Sequence, residues 1–83
     1  MDVVYSKEAL KYASKLDRTA KTRLKNAFEK LSDEPPQGDI KALRGQENIY
    51  RLRVGGLRIL FSIDADNDVI LVSKILPRGE AYK

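Results

Sequence analysis

The sequence contains no cysteine and no histidine. Without cysteine there is neither a disulfide nor a thiolate metal ligand. Without histidine the commonest general acid–base and the commonest metal ligand are both missing. Any catalysis must therefore come from Lys, Arg, Tyr, Asp, Glu or Ser. Long apolar runs are missing too. The opening MDVVYSKEAL lacks the apolar centre of a signal peptide, and no stretch reaches the length of a membrane span. The expected location is cytoplasmic. The 83 residues suffice for one domain, 1–83, and no more. A chain this short buries only about 60% of its unfolded surface, so modest stability is expected.

What is abundant is positive charge. Sixteen basic residues stand against twelve acidic ones, a net of +4 that favours polyanionic or acidic partners. The excess is uneven: residues 1–40 carry a net of +1, residues 41–83 a net of +3. Three acids of the second half sit together in Asp64-Ala65-Asp66-Asn67-Asp68. Outside that stretch the C-terminal half has eight basic and two acidic residues.

The pattern along the chain predicts an α+β fold. Residues 1–5 (MDVVY) suit a short strand. Ser6 is placed to cap a helix through Leu16, with Ala9, Leu10, Ala13 and Leu16 at helical spacing. Asp17 caps a second helix whose Ala20, Leu24, Ala27, Phe28 and Leu31 form one apolar stripe. Pro35-Pro36 ends it, and a loop runs from Glu34 to about Ile40. IYRLRV (49–54) and LRILFSI (57–63) alternate around Gly55-Gly56, a two-residue hairpin signal. VILVSKIL (69–76) reads as a nearly continuous apolar strand in a covered sheet. The expected order is strand, helix, helix, then three hairpin-connected strands (β-α-α-β-β-β), an antiparallel sheet with helices on one face.

The hairpin turn sets the candidate site. With Gly55-Gly56 as the turn, Arg53 stands opposite Arg58, and both share a face with Arg51, while Tyr50, Leu52, Ile59 and Phe61 face the core. Like charges directly opposite one another destabilise a sheet. No acid on these two strands offsets them. That is the pattern of an anion site, although a solvated face with splayed guanidinium groups accounts for the strands equally well. Arg78 and Tyr82 follow the last strand closely, within reach of that face if the tail folds across it. Arginine donates a bidentate fork to phosphate, and a tyrosine ring stacks on unpaired bases.

Two further signals carry less. Asp64-Ala-Asp66-Asn-Asp68 resembles the start of a calcium loop, but the sixth position is Val69 and the twelfth Ile75, so a polar hairpin turn is the better reading. Lys7, Lys11, Lys15, Arg18, Lys21 and Lys25 suit a solvated helix face, or jointly a salt-sensitive docking surface.

Along nearly its whole length the chain resembles the RelE toxins of the wider RelE/ParE superfamily. The resemblance rests on YSKEALKYASKLD, on KALRGQENIYRLRVGGLRILFSID, and on the closing PRGEAYK. Their order and spacing together are more specific than any one of them. The resemblance implies a RelE-like microbial ribonuclease fold and a metal-independent endoribonuclease needing no cofactor. Such a toxin cuts mRNA in the ribosomal A site by attack of the RNA 2′-hydroxyl on the adjacent phosphate. It also implies a RelB-like antitoxin partner, contact with mRNA and the small ribosomal subunit, and no membrane. By position, Arg58 and Arg78 match the family's phosphate-clamping arginines and Tyr82 its C-terminal catalytic or stacking tyrosine. Arg51, Arg53, Lys74 and Lys83 are the expected RNA-binding residues.

Two departures bear on mechanism. Arg51 and Arg53 stand where some members carry lysine, and an arginine stays protonated, so neither can be a general base. Pro77 precedes Arg78 where many relatives have His or Lys. Tyr82 is left as a base if surrounding positive charge lowers its pKa from about 10. The competing reading is a ParE-like toxin that inhibits gyrase by binding and cuts no RNA. An RNA-binding relative without activity is a third.

Overall fold

The computed structural model describes residues 1–33, 35–45 and 47–77. They form β1 (Asp2–Tyr5), α1 (Lys7–Ser14), α2 (Arg18–Leu31), β2 (Asp39–Ala42), β3 (Ile49–Val54), β4 (Leu57–Asp64) and β5 (Val69–Pro77). The sheet order is β1-β5-β4-β3-β2. No described helix is long and apolar enough to cross a membrane.

Both helices begin where their caps predict. Ser6 accepts from the Ala9 N–H at 3.0 Å, and Asp17 from the Ala20 N–H at 2.8 Å. Each satisfies a donor that the first helical turn leaves unpaired. The Ser6 hydroxyl also donates to the Ser73 carbonyl at 2.7 Å, tying the start of α1 to β5. The second helix stops at Leu31, capped by Ser32, ahead of the proline pair.

One face of the sheet meets the helices. Leu52, Ile59, Phe61, Ile70, Val72 and Ile75 are buried there with Ala9, Leu24 and Leu31. Tyr50 stacks on Phe61 at 5.5 Å between ring centroids, and Tyr5 meets Phe28 at 5.1 Å. Leu10, expected on the apolar side of α1, is instead 55% exposed.

The sheet departs from the sequence reading in three ways. First, it is mixed: β1 pairs parallel with β5, Val3 beside Ile70 and Val4 beside Leu71. The two-helix crossover between them supplies the long connection that a parallel pair needs. Second, residues 39–42, expected as the end of a loop, form an edge strand antiparallel to β3. Third, β5 is bulged. Leu60 pairs with Lys74 but Phe61 with Val72, leaving Ser73 as the extra residue. The buried positions accordingly shift from Ile70 and Val72 to Ile75. Without the bulge, strict alternation would aim Lys74 at the core.

The β3–β4 turn is as expected, with Val54 opposite Leu57. Gly55 has φ +56° whereas Gly56 does not enter the positive-φ region, the II′ pattern that suits a right-handed twist. The β4–β5 loop is a polar turn held by Asp64, whose carboxylate accepts from the Asn67 side chain at 2.7 Å and its backbone N–H at 3.2 Å.

Candidate functional site

The face turned away from the helices carries two registered rows of side chains. In the first, Asp39 lies opposite Arg53, Arg53 opposite Arg58, and Arg58 opposite Leu76. In the second, Lys41 lies opposite Arg51, Arg51 opposite Leu60, and Leu60 opposite Lys74. Strand periodicity puts all of them on one side, since Leu52 and Ile59 between them point into the core. Arg51, Arg53, Arg58 and Lys74, expected as site residues, are therefore brought to one surface. Arg78, Tyr82 and Lys83 lie outside the described residues.

These arginines are not equivalent. Arg53 is half exposed, whereas the Arg51 side chain is only 12% exposed. Among the described residues, Arg51 Nε and Arg58 Nη1 are buried and have no hydrogen-bond partner. A buried donor left unpaired costs about 1–3 kcal/mol. Burial sets these two donors apart from the half-exposed Arg53.

The sequence reading found no acid on the two hairpin strands. The acid comes from β2 instead. Asp39 accepts from Arg53 Nε at 2.7 Å and from Arg51 Nη2 at 3.3 Å, one carboxylate oxygen to each. Sequence reasoning also missed Lys41 and Arg44, which line a groove beside Arg51 with Ala42 and Leu43. The alternation of charge in Asp39-Ile40-Lys41, with Ile40 half-buried between them, was the available signal for this strand.

Further along the same face, Ile49, Ser62, Leu71 and Val4 form a third row, of which Val4 and Leu71 are exposed. The open face thus changes along the strands, from two rows rich in basic residues to a third that is mostly apolar. Of the described tyrosines, Tyr5 is shifted away from a base's role, since burial pushes its phenol up.

The sequence model of the ParE toxin of type II toxin–antitoxin systems, parDE, matches residues 3–82. A protein designated RelE1 in Methanocaldococcus jannaschii is 32% identical, over 99% of this chain and 94% of its own. The archaeal RelE–RelB complex from Pyrococcus horikoshii superposes with a TM-score of 0.81 at 28% identity, covering 96% of this chain and 97% of that one. The intact Escherichia coli RelBE complex gives 0.78 at 26% identity, covering 95% and 96%. The chain belongs to the RelE/ParE family of type II toxins, and within it to the RelE type.

Proposed function

We propose that this toxin is a metal-independent endoribonuclease that cleaves mRNA in the ribosomal A site and is restrained by a RelB-like antitoxin. The observation that carries the reading is the pair of opposed arginines, Arg53 and Arg58, beside buried donors on Arg51 and Arg58 that have no acceptor among the described residues. Such a face suits the phosphate of an RNA strand, whose oxygens accept several N–H donors at once.

In this mechanism the RNA's own 2′-oxygen attacks the adjacent phosphorus, and the 5′-oxygen of the next nucleotide leaves. Charge builds on the pentacoordinate phosphorus group, where fixed guanidinium groups stabilise it without reorganisation. Arg58 is the described residue assigned that task, with Arg78 as its partner. Pro77, the last described residue, pairs with Leu57 beside Arg58. Tyr82 is assigned proton transfer and stacking, because arginines cannot accept the proton. Arg51, Arg53, Lys74 and Lys83 hold the strand. The RelE–RelB complexes among the structural relatives support an antitoxin partner of RelB type.

Primer extension on a translated message after induction of the protein tests this directly, with cuts expected inside codons on ribosomes. A short chelator pulse on a pre-formed complex tests metal independence, with cleavage expected to continue. The match to a ParE toxin model favours one alternative, gyrase inhibition without RNA cleavage. A supercoiling assay run in parallel separates the two.

A further inference from the structure

The acid bridging two arginines is out of place on a surface whose task is to bind polyanions. Asp39 is about half exposed, as is Arg53, and exposed ion pairs of this kind contribute little to stability. Its geometry is more informative than its energy. Each carboxylate oxygen takes a single donor from a different guanidinium group, Nε of Arg53 and Nη2 of Arg51. A bidentate pair would consume the whole fork of one arginine. This arrangement instead fixes both groups and leaves the terminal Nη donors of the half-exposed Arg53 to other acceptors.

The position in the sheet adds a second argument. Asp39 heads the row that continues through Arg53 to Arg58, so it lies at the outer end, away from the Arg58 side where β5 ends. From there it offsets one of three adjacent positive charges without standing between Arg53 and Arg58. We propose that Asp39 is a positioning residue of the arginine face. It holds the guanidinium groups of Arg51 and Arg53 in one orientation and weakens the face's grip on polyanions in general, so that phosphate is bound in a productive geometry. This rests on the phosphate-binding reading of the face.

The role makes two effects run in opposite directions. Removing the charge strengthens ionic attraction to RNA, while releasing the arginines slows the chemistry that depends on their placement. A residue that merely braced the edge strand would lower both together.

The experiment uses the full-length toxin as wild type, Asp39→Asn and Asp39→Glu, with a thermal melt to show that each is folded. Affinity is measured across a salt series for an RNA oligonucleotide carrying a 2′-deoxy sugar at the cleavage position. The single-turnover cleavage rate is measured on programmed ribosomes at saturating toxin. Asp39→Asn is expected to bind the oligonucleotide several-fold more tightly, with a log–log salt slope steeper by about 0.7, one added phosphate contact on a single strand. Its cleavage should be slower by roughly tenfold, less than the loss for a group that touches the phosphate. Asp39→Glu restores the charge and should return affinity and slope to wild type, with most of the rate.

Binding by Asp39→Asn with the wild-type affinity and slope overturns the proposal, and so does cleavage at the wild-type rate. A wild-type protein that binds RNA and cuts none refutes the ribonuclease reading instead. The binding series then decides on Asp39 alone: a tighter, steeper Asp39→Asn supports it, and an unchanged or weaker one overturns it.

Discussion

Arg53 and Arg58 face each other directly across the β3–β4 hairpin, one residue from its turn on either side. Opposed like charges cost a sheet roughly 0.2–1 kcal/mol, and Nη1 of Arg58, buried without a partner among the described residues, adds to that. Replacing Arg58 by Leu should therefore stabilise the fold slightly, by about 0.5–1 kcal/mol, while abolishing most activity. Denaturant midpoints measured beside cleavage rates check the pair of effects. A less stable Arg58→Leu protein would mean that the guanidinium group serves the fold.

Ser6 does two jobs, capping α1 and donating to the Ser73 carbonyl at the β5 bulge. Losing both should destabilise by about 1–2 kcal/mol in Ser6→Ala. Equilibrium unfolding reads the loss. Because that bulge turns Lys74 to the open face, amide exchange at Ser73 and Lys74 should also quicken, and unchanged exchange would separate the cap from the bulge.

Gly38 sits immediately before Asp39 with φ +138°, and a Cβ there would lie 2.7 Å from Leu52 Cδ1. Gly38→Ala combines a strained backbone with a clash against a buried side chain. The expected cost is about 1–3 kcal/mol, and β2 should loosen from β3. The Asp39–Arg53 contact is then lost as well, so the salt dependence of RNA binding should shift as in Asp39→Asn. A fully stable Gly38→Ala would show that β2 adjusts freely.

Hydrogen bonds from the Asn67 side chain and then its backbone N–H hold the Asp64 carboxyl below its ordinary value. A folded-state pKa lowered in this way favours folding at any pH above the unfolded value of about 3.9. That contribution fades as pH falls through the folded pKa. Asn67→Ala should raise the Asp64 titration midpoint and reduce the loss of stability on acidification. Carboxyl NMR titration of both proteins decides it, and identical midpoints would count against the hydrogen-bond cause.

Much of this architecture is legible in the sequence because strong local signals agree with the fold. Ser6 and Asp17 mark helix starts, and Gly55-Gly56 between alternating segments sets a hairpin whose register follows automatically. The arginine face follows from that register alone. What was not legible depends on neighbours distant in sequence. Asp39-Ile40-Lys41-Ala42 has little strand propensity of its own and becomes a strand by pairing with β3, so the acid on the arginine face went unseen. The parallel β1–β5 pairing is likewise a tertiary choice. The bulge left a trace, since Lys74 falls on the core parity of Ile70 and Val72, but a nearly continuous apolar run concealed it.

The central claim is that the open arginine face stabilises charge at a scissile phosphate. Its most direct test is the single-turnover rate of mRNA cleavage on programmed ribosomes by wild type and Arg58→Ala, with binding measured alongside. The rate should fall by about 10²–10³ with ribosome affinity little changed, as for loss of one donor to a charged transition state. Cleavage by Arg58→Ala at the wild-type rate, or a loss explained wholly by weaker binding, would contradict it.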